Sequence, residues 1–125
     1  MGYRILVVDD SPVLRIMLSE MLTAMGHEVV GDADNGADAV AKYKELKPDL
    51  VTLDVSLPDI NGLEVLRKIK RSDPSAQAMM VTGNDQKAID KEAAALKALA
   101  VLRKPFDESE LRALIEKLAS RIKKR

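Results

Sequence analysis

Five side chains with chemical capacity stand at the ends of short apolar runs. Ile5-Leu6-Val7-Val8 runs into Asp9-Asp10, and Leu50-Val51-Thr52-Leu53 runs into Asp54. Ala78-Met79-Met80-Val81 closes on Thr82-Gly83, and Leu99-Ala100-Val101-Leu102 leads into Arg103-Lys104-Pro105-Phe106. Each taken alone has an ordinary explanation. An aspartate after a strand commonly makes an Asx turn or caps the next helix; a threonine can be a polar stop, and a lysine is usually solvated. Asp54 resists that explanation, because Val55 follows it instead of a helix start. The recurrence at four run ends is what matters. Three carboxylates held within about 5 Å repel by several kcal/mol at an effective dielectric of about 20. That is poor for stability and suited to a hard cation such as Mg²⁺, which takes one or two carboxylates, waters and phosphate oxygens. With the Lys104 ammonium opposite, the cluster would clamp the oxygens of a transferring phosphoryl group. A central carboxylate can then be the nucleophile.

Alternating elements would have to position these groups. The first apolar run is β-branched and reads as a strand buried on both faces. After it, Ser11 or Asp10 caps a helix with Pro12 at its first position. Leu14, Met17, Leu18, Met21, Leu22 and Met25 recur at helical spacing, read as core packing, and Gly26 ends the stripe. Glu28 to Ala33 is a second strand, and Asn35-Gly36 opens a helix through about Leu46, closed by Pro48. Leu50 to Leu53 is the third strand, and Leu63, Leu66 and Ile69 make the third helix. Ala78 to Thr82 is the fourth strand, followed by a helix from about Asp85 to Leu96. Leu99 to Leu102 is the fifth strand. Asp107 and Glu110 form a capping box for a last helix carrying Leu111, Leu114, Ile115, Leu118 and Ile122. Five βα units predict a parallel sheet covered on both faces with right-handed crossovers, open because five units cannot close an eight-stranded barrel. Ligands of such a sheet bind at the carboxyl ends of its strands.

The 125 residues make one domain, read here as spanning 1–125. There is no cysteine, which excludes disulfides, thiolate catalysis and Cys-ligated metal; the single histidine, His27, excludes multi-His sites. Twenty basic and twenty acidic residues cancel, giving no pull toward nucleic acid or a lipid surface. No apolar run approaches the roughly 18 residues of a membrane span, and the N-terminus lacks the pattern of a secretory signal. A cytoplasmic protein is the expectation.

Val7-Val8-Asp9-Asp10-Ser11, Leu53-Asp54 with Leu57-Pro58-Asp59-Ile60-Asn61-Gly62-Leu63-Glu64, Thr82-Gly83 and Lys104-Pro105-Phe106 together resemble the receiver domain of bacterial response regulators. The resemblance spans the chain in order and spacing. It implies a flavodoxin-like (βα)5 fold, a doubly wound parallel sheet with strand order 2-1-3-4-5. It implies that Asp54 accepts a phosphoryl group from a histidine kinase or phosphotransfer protein, or from a small donor such as acetyl phosphate. By the same resemblance, Asp10, Asp54 and the Ser56 carbonyl ligate Mg²⁺ (Mn²⁺ being the alternative cation), and Asp9 acts through a water. Thr82, the Gly83 N–H and Lys104 bind phosphoryl oxygens, Ser56 and Asn84 tune the lifetime of the acyl phosphate, and Lys104-Pro105 is cis. The chain then is a signalling phospho-acceptor, not an enzyme beyond its own phosphorylation and dephosphorylation. Its target would be a protein met through helix four, strand five and helix five, where Lys87, Lys91 and Arg112 are expected.

One departure stands out. Receivers carry an aromatic residue three positions before the lysine, and this chain has Val101. The inward turn of an aromatic ring cannot couple site to surface here, so the switch is expected to be muted or to use helix-four motion. Asp59-Ile60-Asn61-Gly62 has the look of a calcium loop but fails, since Leu57 and Lys68 occupy its first and twelfth places. Arg121-Ile122-Lys123-Lys124-Arg125 reads as a helix C-terminus complementing its dipole, and His27 as a surface residue. No output segment follows helix five, which favours a stand-alone receiver over the regulatory half of a DNA-binding regulator. An aspartyl-phosphate hydrolase of the haloacid dehalogenase type is the third reading; Ser56 stands where that chemistry needs a second acid.

Overall fold

The structure, a computed structural model, describes residues 2–83 and 87–124. Its elements alternate strictly: β1 (Arg4–Val8), α1 (Pro12–Ala24), β2 (Glu28–Ala33), α2 (Gly36–Leu46), β3 (Leu50–Asp54), α3 (Gly62–Ser72), β4 (Ala78–Thr82), α4 (Lys87–Ala95), β5 (Ala100–Arg103) and α5 (Glu108–Leu118). The strands are all parallel in the order β2-β1-β3-β4-β5, the doubly wound flavodoxin-like arrangement. The order reverses at β1, so β1 and β3 open the crevice where such sheets bind ligands.

The pleat divides the core in two. Leu6, Val8, Val51, Leu53, Ala78 and Met80 face α2 and α3 side chains such as Tyr43, Leu66 and Ile69. Ile5, Val7, Leu50, Met79, Val81 and Leu102 face Leu18 and Leu22 of α1 and Leu111 and Ile115 of α5. Burial on both faces explains why these strands read as continuous apolar runs and not as alternating ones.

Helix ends follow local chemistry. Ser11 accepts the Leu14 N–H at the start of α1, Pro12 is its first residue, and Gly26 beyond its end has φ +93°. Asp107 and Glu110 form the reciprocal capping box of α5. Boundaries shift at several ends; β1 starts at Arg4 and β3 includes Asp54. β5 begins one residue later than its apolar run suggests and includes Arg103, because Thr82 pairs with Arg103 in the ladder. α5 ends at Leu118 instead of reaching Ile122; a tighter turn follows, in which the Ile122 N–H still bonds the Leu118 carbonyl at 3.0 Å and Ile122 is buried. The basic run therefore lies beyond the helix, and Lys117 is the cation in its last turn. The expected start of helix four at Asp85 lies outside the described residues.

Met17 is not core. It is 44% exposed, with Val13 at 65% and Ile16 at 59% beside it, because α1 carries more apolar positions than its contact with the sheet can cover. His27 is half-buried instead of free at the surface: its ring stacks on Tyr3 with centroids 5.3 Å apart, and its Nδ1 accepts the Tyr3 N–H at 3.0 Å.

Candidate functional site

Strand pleating decides which groups meet. Ile5 and Val7, Leu50, and Leu102 all point to the α1/α5 face. A period of two carries that same orientation on to Asp9, Asp54 and Lys104 at the carboxyl edge. Asp9 and Asp54 are buried to 2% and 3% exposure, while Asp10, on the opposite phase, is exposed. One oxygen from each of Asp9, Asp10 and Asp54 lies within 4.8 Å of the others.

Lys104 ties the cluster together. Its Nζ is 3.0 Å from Asp9 Oδ2 and 3.4 Å from Asp54 Oδ2. The second oxygen of each acid is held locally: Asp9 Oδ1 accepts the Ser11 N–H at 2.9 Å, and Asp54 Oδ1 accepts the Ser56 N–H at 3.1 Å. Burial raises the pKa of Asp54, the Asp9 charge adds to the rise, and the Ser56 N–H and Lys104 oppose it. Burial works against the Lys104 ammonium, but its hydrogen bond to Asp9 and the charge of Asp54 outweigh it and raise its pKa. Three carboxylates against one ammonium leave two formal negative charges. An all-oxygen donor set with that excess and one solvent-facing member fits a hard divalent cation, which keeps part of its water shell. It does not suit a soft metal.

The other expected residues are distributed around this cluster. Thr82, buried, ends β4 one residue past Val81, which pairs with Asp54, and its carbonyl accepts the Lys104 N–H at 2.8 Å. Gly83 is exposed next to it, and among the described residues a Cβ there would meet nothing within 4 Å beyond its own chain neighbours. Ser56 is exposed and in hydrogen-bond contact with the Asp54 carboxylate. Asn84 lies outside the described residues. The Lys104–Pro105 peptide is cis. Val101 is half-buried on the phase of Met80 and packs against the cluster that includes Ala93 of α4.

Three residues gain roles here that the sequence does not assign them. Arg15 donates from Nη1 to the Asp9 carbonyl at 2.8 Å, fixing the backbone of the buried acid. Asp59 bonds the start of α2 across the loop that follows Asp54. Arg103, the ladder partner of Thr82, grips Asp90 of α4 through both carboxylate oxygens, at 2.7 and 2.8 Å. Arg103 shows in the sequence only as a charge directly after an apolar run, and Asp59 only as part of the loop that follows Asp54.

Two surfaces flank the site. A groove of about 420 Å³ runs between α1 and the loop after β5, lined by Leu14, Met17, Leu18, Met21, Pro105 and Phe106, with Lys104 at its edge. On the other side, Lys87 and Lys91 are exposed on α4. Arg112 does not join them. It lines a groove with Tyr3, Met25 and His27, because residues 112, 115, 116 and 119 form one stripe of α5 turned toward the end of α1. Among the described residues, no helix is long and apolar enough to cross a membrane.

Comparison with known proteins gives consistent likenesses. Residues 5–116 match the family described as the response regulator receiver domain. The chemotaxis protein CheY of Thermotoga maritima is 40% identical over 119 residues, covering 95% of this chain and 99% of that protein. A two-component response regulator of the LuxR family from Aurantimonas superposes with a TM-score of 0.91 at 28% identity, covering 100% of this chain and 90% of the other. The CheX–CheY–BeF3–Mg²⁺ complex from Borrelia burgdorferi superposes at 0.90 with 27% identity, covering 97% of this chain and 90% of the other.

Proposed function

The chain belongs to the response regulator receiver family, and from that premise we propose that Asp54 is the phospho-acceptor of a cytoplasmic receiver. The supporting observation is the contact of Lys104 with both Asp9 and Asp54, in a cluster holding two uncompensated negative charges. The donor is a histidine kinase or phosphotransfer protein. An Asp54 oxygen attacks phosphorus, the P–N bond of the phosphohistidine breaks, and the imidazole nitrogen keeps the electron pair.

Asp10, Asp54 and the Ser56 carbonyl would hold Mg²⁺, with Asp9 acting through a water; bound there, it would supply positive charge to the phosphoryl oxygens and to the acids around them. Lys104 orients a phosphoryl oxygen from the opposite side, and Thr82 and the Gly83 N–H serve the remaining oxygen. Ser56, and Asn84 by the family pattern, set how long the acyl phosphate lasts. Positioning and charge carry such a transfer, with little other chemistry left to the protein. The CheY of the Borrelia complex was solved with BeF3 and Mg²⁺, a set that mimics this phosphorylated state.

The donor protein docks on α1. Val13, Ile16 and Met17 are exposed apolar residues on the helix that walls the groove leading to Lys104, and a macromolecular donor must cover the site's rim to reach Asp54. The response leaves by the other side. With Val101 in place of an aromatic ring, the Arg103–Asp90 ion pair links the strand beside Thr82 to α4, and helix-four motion carries the signal to a protein target at the α4–β5–α5 face. The family match leaves the hydrolase reading without support.

The test is treatment with acetyl phosphate and Mg²⁺, read by intact mass. Wild type should gain about 80 Da, one phosphoryl group, and Asp54→Asn should gain nothing. Equal labelling of the two proteins would refute the assignment.

A further inference from the structure

The loop from Val55 to Asn61 leaves the acidic cluster at Asp54, whose Oδ1 accepts the Ser56 N–H at 3.1 Å, and it is anchored at two places. At its root, the Gly62 N–H bonds the Val55 carbonyl at 2.8 Å, and a Cβ on Gly62 would stand 2.0 Å from the Asp54 carbonyl oxygen. Only glycine allows that approach. At its tip, the Asp59 carboxylate reaches across to another element. Oδ1 accepts the Gly36 N–H at 2.7 Å and Oδ2 accepts the Ala37 N–H at 2.9 Å, the first two residues of α2. Ile60 packs against Gly36 so closely that a Cβ there would meet its Cγ1 at 2.5 Å.

The start of α2 is thereby saturated. Of its first four N–H groups, those of residues 36 and 37 go to Asp59, that of Asp38 to the Asn35 side chain, and that of Ala39 to the Asn35 carbonyl. Asn35 already caps the helix in the ordinary way. Asp59 therefore does more than cap: it fastens the loop after Asp54 to a rigid helix, with its negative charge at the positive end of the helix dipole. The two N–H bonds hold its carboxyl below the usual carboxylate range.

We propose that Asp59 is a positioning residue for the divalent cation: by pinning the loop to α2 it presets the Ser56 carbonyl beside Asp54, while itself touching neither cation nor phosphoryl group. The inference rests on the reading of Ser56 as a carbonyl ligand. It follows from the cost of ordering. A loop held in its binding conformation before the ligand arrives does not spend ligand affinity on becoming ordered, and loss of an outer partner of a metal site commonly weakens affinity 10- to 100-fold, by order of magnitude.

The experiment measures the Mg²⁺ dissociation constant of the unphosphorylated full chain by NMR titration, together with Tm, for wild type, Asp59→Ala, Asp59→Asn and Asn35→Ala. Asn35→Ala weakens the same helix end without freeing the loop. Asp59→Ala should bind Mg²⁺ about tenfold more weakly, and Asp59→Asn, which keeps volume and one acceptor, should fall between it and wild type. Asn35→Ala should lower Tm and leave the dissociation constant within about twofold. Unchanged Mg²⁺ affinity in both Asp59 variants, or an equal loss in Asn35→Ala, would overturn the positioning role. Absence of saturable Mg²⁺ binding in wild type would instead overturn the functional reading beneath it.

Discussion

Lys104 Nζ lies 3.4 Å from Asp54 Oδ2, although Lys104 follows β5 and Asp54 ends β3, with β4 between those strands in the sheet. The contact exists because the strand ends are staggered and the pleat gives both residues the same phase. It makes the lysine the built-in counter-charge of a buried carboxylate pair.

Removing that counter-charge has a stability cost. In Lys104→Met, Asp9 and Asp54 remain buried without the ammonium. The loss should be about 2 kcal/mol, below the range for a fully buried pair because the Lys104 side chain is about one-fifth exposed. Urea unfolding checks this, and Mg²⁺ should restore part of the loss by supplying positive charge to the same acids.

Mg²⁺ should raise the Tm of wild type by mass action on the native state, by an amount equivalent to about 2.7 kcal/mol at a hundredfold excess over its dissociation constant. Asp10→Ala should lose that response. Without metal, Asp10→Ala should melt above wild type, since it removes one of three mutually repelling carboxylates and Asp10 makes none of the Lys104 contacts. A lower metal-free Tm would count against the electrostatic account.

The Arg103–Asp90 pair should decide how far phosphorylation is felt in α4. Beryllofluoride with Mg²⁺ should shift wild-type α4 amide resonances beyond background, and Asp90→Asn should change the size of those shifts. Both side chains are more than a third exposed, so the pair contributes at most about 1 kcal/mol and the effect on populations should be no more than about fivefold. Shifts equal to background would mean that the signal takes another route.

His27 sets an acid limit on stability. Burial first, then positive charges including Lys124 and Arg112, hold its pKa below 6.5. As pH falls, the unfolded chain takes up the proton before the folded one, so this contribution is full above about pH 6.5 and lost as pH falls through the folded value. Protonation also removes the Nδ1 acceptor of the Tyr3 N–H. Tm between pH 7.5 and 5.5 (about the window concerned) should fall more steeply in wild type than in His27→Gln. Parallel slopes would exclude the effect.

Much of this protein was legible before any coordinates, for a physical reason. Strands buried on both faces are continuous apolar runs with abrupt polar ends, so β1, β3 and β4 and the residues after them could be read along the chain. What escaped were relationships fixed by distance across the fold. Met17 sits in the same helical stripe as Leu18 and Leu22, and only the width of the contact made by α1 leaves it exposed. Asp59 looked like a failed calcium ligand because its partners, Gly36 and Ala37, belong to another βα unit. Arg112 was expected beside α4, but the rotation of α5 on its core turns it toward Tyr3 and His27. The Tyr3–His27 stack likewise joins two residues whose neighbours say nothing of each other.

The central claim is that one carboxylate among three takes the phosphoryl group. Borohydride reduction of the acetyl phosphate-treated protein, followed by peptide mass mapping, tests it directly, since reduction converts an aspartyl phosphate to homoserine. The account predicts conversion at Asp54 alone, and only when Mg²⁺ was present. Conversion at Asp9 or Asp10, or none in a protein that binds Mg²⁺, would contradict it.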